Sequence, residues 1–290
     1  ADGQEKVWAI RGQTLAGDAL CQIVASVVTP ALCSGGQWAR ACYACSGAAA
    51  VVTVLWQLLV RGSPGRAASS AWHHTSDDAS TRIAWAIFKA PAVQGLCSTW
   101  LCCVFASVAM LQMAPTVLMS RFNLTVAEAG RYIALGFSVT VPGMFLTGII
   151  ESFFVARGTS RLAIRRQCTL VSTLGVSCAL CGFVLSRSPL QAVAAIMAYN
   201  LAHQFNSSGF FPNLQEVGGL DTGIIQAVAN SLGQLGGSMA PPLAFALYRR
   251  SGVWSGVYFI SAGAVLVSGL FYRSVLELEP ARDKVSRSNS

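Results

Sequence analysis

The sequence predicts an all-α membrane protein with eight transmembrane helices, on three observations. Of its 290 residues, 53% are hydrophobic and only 11% charged, against about 25% charged in an average soluble domain, and the mean hydropathy is +0.54. The charges gather between long apolar windows, each near the roughly 20 residues that a helix needs to cross a hydrocarbon core. Those windows also lack the polar face that helices of a soluble eight-helix bundle would turn to water.

In chain order the spans run roughly over 15–33, 41–60, 91–118, 129–150, 167–186, 189–212, 223–247 and 252–272. The first carries Asp18 about one turn inside, with Gln22 a turn further; this is either an interfacial helix cap or a buried carboxylate able to carry a proton. The second follows the short turn Gly35 to Trp38 and holds only Gln57 as a long polar side chain. The third ends near Pro115, and the fourth is bounded by the acids Glu128 and Glu151. The fifth follows a basic loop with Arg157, Arg161, Arg165 and Arg166. In the sixth, Asn200, His203, Gln204 and Ser207 follow i, i+3, i+4, i+7 spacing and share one helical face. An unpaired polar group in hydrocarbon costs several kcal/mol, so that face looks into the protein, as interhelical glue or as a cavity lining. Gln226, Asn230, Gln234 and Ser238 recur every four residues along the seventh, beside Gly233, Gly236 and Gly237. The amides are able to hold an anion, and the glycines serve close packing or bending. The seventh and eighth spans are free of charge until Arg249 and Arg273.

Eight spans put both termini on one side, together with loops 61–90, 151–166 and 213–222. Fourteen of the twenty Lys and Arg lie there; the opposite side has Arg40, Arg121, Arg131, Arg187, Arg249 and Arg250. Positive charge stays on the side from which insertion occurs, so the richer side is cytoplasmic, stromal or matrix. The net charge of +8 is therefore a topology signal, and no basic stripe with interleaved aromatics suggests nucleic acid.

The remaining residue types add little chemistry. The ten cysteines lie in or beside apolar spans; Cys42 with Cys45 and Cys178 with Cys181 have CxxC spacing without a second pair, and read as small buried hydrophobes. His73, His74, Asp77 and Asp78 sit in a Ser-rich loop and read as solvated. Asn123 to Thr125 forms a glycosylation sequon that does not identify a compartment. There is no phosphate-binding loop, no nucleophile elbow and no paired catalytic carboxylates, so the chain reads as no enzyme, with no cofactor and no metal.

The long loop 61–90 leaves two spans before it and six after, with a short basic loop between the second and third of the six. That arrangement resembles the major facilitator superfamily, in which two six-helix halves enclose a central cavity. The stretch with Ser207, Ser208, Gly209, Phe210, Asn213, Glu216, Gly223, Asn230, Gly237 and Pro241 resembles the anion:cation symporters, which include sodium/phosphate carriers, sialin, vesicular glutamate carriers and plant plastid phosphate carriers. Ala114–Pro115–Thr116, then Phe122 to Thr125 and Gly130, resemble the end of the family's seventh helix and the loop after it. Val155 to Gly158 and Ile164 to Arg166 resemble the loop between its eighth and ninth, plastid members above all. Ser63 and Pro64 match the end of the sixth helix.

The resemblance implies a major facilitator fold with the eight spans as family helices five to twelve. Residues 1–61 would close the N-terminal bundle, 62–90 form the central cytoplasmic loop, 91–273 the C-terminal six-helix bundle and 274–290 a disordered cytoplasmic tail. It implies a secondary transporter of an inorganic or organic anion, phosphate or carboxylate, coupled to a proton or sodium gradient by alternating access, in a plastid envelope or other organelle membrane. The partners would be a small anionic solute, a proton or sodium ion and the lipid bilayer. Asn200, His203, Gln204, Ser207, Gln226, Asn230 and Gln234 would line the path, with His203 the proton-responsive group. Glu151, Arg157, Arg165, Arg166 and Glu216 would gate it.

Departures from the family pattern bear on the substrate. Cys103 stands where several members carry Arg or His, Phe105 where they carry Trp, and Leu214 where they carry His. The family's Asp of the basic loop falls on Ser152, one residue after Glu151, which shifts the expected ion pair by one position. These departures leave open a non-transporting membrane subunit or truncated relic, which upstream sequence with four more spans and intramembrane Arg would exclude.

Overall fold

The computed structural model describes residues 24–29, 32, 38–59 and 86–281. Within them the backbone is helical, with no strand. Helix α1 spans Trp38–Leu59, α2 Pro91–Ser107, α3 Ala114–Phe122, α4 Val126–Phe137 and α5 Thr140–Ala156. Then come α6 Arg161–Leu185, α7 Pro189–Gln204, α8 Phe210–Gly218, α9 Thr222–Ser251 and α10 Ser255–Val275. Among the described residues, five segments are long and apolar enough to cross a membrane: Ala39–Leu58, Pro91–Gln112, Val126–Ala156, Arg161–Leu185 and Ser255–Val275. The chain is a multi-pass membrane protein. Of the other expected spans, α7 is short because a 3-10 turn at Phe205–Ser207 interrupts it, and α9 is diluted by its amides and glycines.

Several predicted helices are broken where hydropathy runs on. A π-helical turn at Val108–Gln112 closes with the Met113 N–H on the Val108 carbonyl at 3.2 Å, just before Pro115 restarts the helix. Asn123 ends α3 in the left-handed region with φ 51°, and a capping box between Thr125 and Glu128 starts α4. The fourth expected span is two helices, α4 and α5, parted at Ser138 and Val139.

Helices α2, α6, α7, α9 and α10 pack into the body of the bundle. The α2–α9 contact is made by glycines: a Cβ on Gly233 would lie 2.8 Å from Trp100, and one on Gly236 would lie 2.6 Å from the Leu101 carbonyl. Absence of those methyls lets the backbones approach, so in this conformation the glycines serve packing. Two apolar clusters result. One, around Met110, Leu118, Phe183, Tyr199 and Tyr258, fills the end that carries Asn123 and Trp254. The other, around Leu96, Phe210, Val217, Tyr272 and Leu276, fills the opposite end. Outward faces are apolar as well, with Phe145, Ile149, Leu235 and Val267 each exposed, as a lipid-facing surface requires.

One expectation changes. Cys42, Cys45 and Cys178 are exposed, Cys181 is half-buried against the first cluster, and Cys97, Cys103 and Cys168 are buried, so the CxxC cysteines are not uniformly buried. Leu276 and Ala281, within the stretch expected to form a tail from 274, are buried in the second cluster. Helix α1 makes no extensive contact with the other described helices and leaves Tyr43 and Trp56 exposed. Asp18, Gln22, the loop with His73, His74, Asp77 and Asp78, and residues 282–290 lie outside the described residues.

Candidate functional site

Charge is concentrated in one place inside the bundle. Ser160 caps the start of α6 by accepting from the Ala163 N–H at 3.3 Å, which fixes Arg165 in the second turn, facing inward with 6% exposure. Its Nη1 donates to Glu151 Oε1 of α5 at 2.7 Å and to the Ser208 carbonyl at 2.6 Å. Its Nη2 donates to Glu216 Oε1 of α8 at 3.3 Å. The Ser208 carbonyl is open to Arg165 because the residue four positions on, Pro212, has no N–H to donate to it. Gly209 permits the break between α7 and α8, since a Cβ there would lie 3.1 Å from both the Thr169 amide and hydroxyl. One guanidinium thus joins α5, α6, the break and α8. Glu151 makes the ion pair, and Ser152, exposed, donates to the Gly148 carbonyl.

The cluster is not fully satisfied. Glu151 Oε2, Glu216 Oε2, Arg165 Nε, Ser208 Oγ and Thr169 Oγ1 are buried without a hydrogen-bond partner. Burying charges costs several kcal/mol per ion unless pairing is good, and here two carboxylates share one guanidinium.

Arg157 and Arg166 stand apart from this cluster. Arg157 is exposed and lies 3.9 Å over the Phe153 ring. Arg166 donates from Nη2 to the Leu276 carbonyl at 3.3 Å, a cation at the C-terminal end of α10 where helix dipoles favour one. Of the five expected gating residues, then, Glu151, Arg165 and Glu216 meet.

On α7 the polar face divides. Asn200 is buried and donates to the Gly136 carbonyl of α4 at 2.9 Å. Ser207 donates to the Gln204 carbonyl at 2.6 Å and lies 3.3 Å from the Thr147 hydroxyl. These two tie helices together. His203 and Gln204 are half-buried; His203 stacks on Tyr199 at 5.9 Å, and the Tyr199 hydroxyl bonds Ser107 at 2.8 Å. On α9, Asn230, Gln234 and Ser238 are exposed on a side away from the packed glycines, and Gln226 donates to Asn230 at 2.9 Å. The two polar rows are not in direct hydrogen-bond contact in this conformation.

Sequence reading did not assign Ser208 and Thr169 to the charged cluster, nor the bond from the Tyr272 hydroxyl to Asn213 Oδ1 at 2.7 Å. The Asn213 amide in turn donates to the Glu277 carbonyl, tying α8 to the end of α10. The Ser207–Ser208–Gly209 run was the available signal for a break. Among the described residues, no three His, Cys, Asp or Glu gather as a metal site.

No family model matches the chain. It is 25% identical over 250 residues to "Probable anion transporter 4, chloroplastic" of Oryza sativa subsp. japonica, covering 82% of this chain and 42% of that protein. It is 25% identical over 195 residues to "Ascorbate transporter, chloroplastic" of Arabidopsis thaliana, 66% of this chain and 36% of that one. The chain is a distant relative of plant chloroplast anion transporters. A third, "Sodium-dependent phosphate transport protein 1, chloroplastic" of Arabidopsis thaliana, is 23% identical over 186 residues, 64% of this chain and 36% of that one. The chain therefore spans about two fifths of the length of these relatives. The resemblance carried by the stretch from Ser207 to Pro241 agrees with them, and relatives named as transporters agree with a chain that is no enzyme.

Proposed function

We propose that the chain is part of a secondary active anion transporter with the major facilitator fold, its spans corresponding to family helices five to twelve and residues 91–273 to the C-terminal bundle. The observation that carries this reading is its similarity, over up to 82% of its length, to proteins named for anion, ascorbate and phosphate transport. The substrate is a small anion, phosphate or a carboxylate, coupled to a proton or sodium gradient. The membrane is that of a plastid envelope or related organelle.

Alternating access needs a contact that holds one end shut and then yields. Arg165 with Glu151 and Glu216 supplies it: the pairs join separate helices at the end rich in Lys and Arg, and several together bias a two-state balance although each is modest. The exposed amides Asn230 and Gln234 and the half-buried Gln226, with His203 and Gln204, line the path. Asn200 and Ser207 hold α7 in place beside it, and Arg166 anchors the end of α10.

Asn230→Cys in the intact protein, with native cysteines replaced, tests this reading. A membrane-impermeant maleimide should label it from either side according to the imposed gradient, and phosphate or ascorbate should slow labelling. Labelling unaffected by every anion and gradient would remove α9 from the path.

A further inference from the structure

The cluster around Arg165 carries one more negative charge than positive, and its free atoms are nearly all oxygen. Glu151 and Glu216 are countered by one guanidinium, which uses Nη1 twice and Nη2 once. Each carboxylate keeps a second oxygen that is buried and unpartnered, and so are the hydroxyls of Ser208, 1% exposed, and Thr169, 3% exposed. These hydroxyls belong to the same site. Thr169 is one turn beyond Arg165 on α6, Ser208 gives its carbonyl to that arginine, and Gly209 lies against Thr169. A buried net charge of −1 with four unpartnered oxygens is costly as it stands. Adding one positive charge removes both defects, because carboxylate and hydroxyl oxygens are the ligands that hard cations prefer. Among the described residues, Cys168 of α6 lies within electrostatic reach of Glu151 and Arg165, and Tyr272 of α10 within reach of Glu216 and Arg165. Neither supplies a positive charge.

We propose that the Glu151–Arg165–Glu216 cluster, with Ser208 and Thr169, binds one monovalent cation, a sodium ion or a proton. As a coupling site this rests on the transport reading above; as a binding site it does not. The site would tie the coupling cation to the contact that closes the bundle.

The test is thermal unfolding of the intact protein in detergent, without transported anion. At pH 8, sodium chloride is titrated against choline chloride and potassium chloride; in choline alone, pH is lowered from 8 to 5. A sodium site predicts a midpoint rise of about 2–4 °C at roughly five times the dissociation constant, absent with potassium. A proton site predicts the rise on acidification instead, because protonating one carboxylate removes the buried excess of negative charge. Glu216→Gln leaves Arg165 neutralised by Glu151 and should abolish the response while the protein stays folded. Ser208→Ala with Thr169→Val keeps the ion pairs and should raise the half-effective sodium or proton concentration about tenfold, about 1.4 kcal/mol. A midpoint indifferent to sodium and acid, or a response undiminished in both variants, overturns the proposal. Cation binding without anion uptake would instead count against the carrier reading alone.

Discussion

Arg165→Met is the most informative single change. It removes the charge from a side chain that is 6% exposed and leaves Glu151, 7% exposed, without its partner at 2.7 Å. Removing one member of a buried pair costs about 3–5 kcal/mol, most of it the penalty of the charge left behind. Each kcal/mol lowers the melting midpoint of a domain this size by about 2–4 °C, so a drop of roughly 6–20 °C is expected. Neutralising both carboxylates in the same protein, Arg165→Met with Glu151→Gln and Glu216→Gln, should recover most of the loss, because no uncompensated charge remains. Scanning fluorimetry in detergent with a thiol-reactive dye reads both. A midpoint within about 2 °C of the parent for Arg165→Met, or a triple variant as unstable as the single, would refute the view that the cluster is a tightly coupled buried unit.

Arg157→Ala, which gives up only an exposed contact with the Phe153 ring, should cost under about 1 kcal/mol and alter turnover less than Arg165→Met does; a larger effect on either would return Arg157 to the gate. Gly236→Ala drives a methyl to 2.6 Å from the Leu101 carbonyl and should cost about 1–3 kcal/mol, while Gly223→Ala on the same helix, with open space around it, should be neutral or gain up to about 1 kcal/mol; equal effects would mean that α9 does not pack on α2 through its glycines. His203→Gln should leave expression intact and lower uptake, and unchanged uptake would reduce His203 to a stacking partner of Tyr199.

The membrane class and the helical build were legible in the sequence because hydropathy and charge depletion act over twenty residues at a time. The charged cluster was legible in part: Arg165, Glu151 and Glu216 are rare charges at the edges of apolar spans, and each is expensive to bury alone. What the sequence concealed are features set by two or three atoms. The break at Ser138–Val139 lies inside continuous hydropathy, where only backbone hydrogen bonding reveals it, and the Ser207–Ser208–Gly209 run hints at the second break without fixing its geometry. The recruitment of Ser208 and Thr169 depends on the close approach at Gly209, which no periodicity encodes. Asn200 has the same spacing for a cavity lining as for a bond to the Gly136 carbonyl, so a shared helical face could not decide between them. Arg157 and Arg165 are alike as residues; the capped start of α6 turns one inward, and the turn after α5 leaves the other beside Phe153.

Uptake by proteoliposomes holding the intact protein tests anion carriage most directly. Labelled phosphate, ascorbate and glutamate are offered separately under an inward proton gradient, an inward sodium gradient and neither. Saturable uptake of at least one anion, stimulated by one of the gradients and lost in Arg165→Met, is the predicted result. A folded, correctly inserted protein that moves none of the three above protein-free vesicles would contradict it.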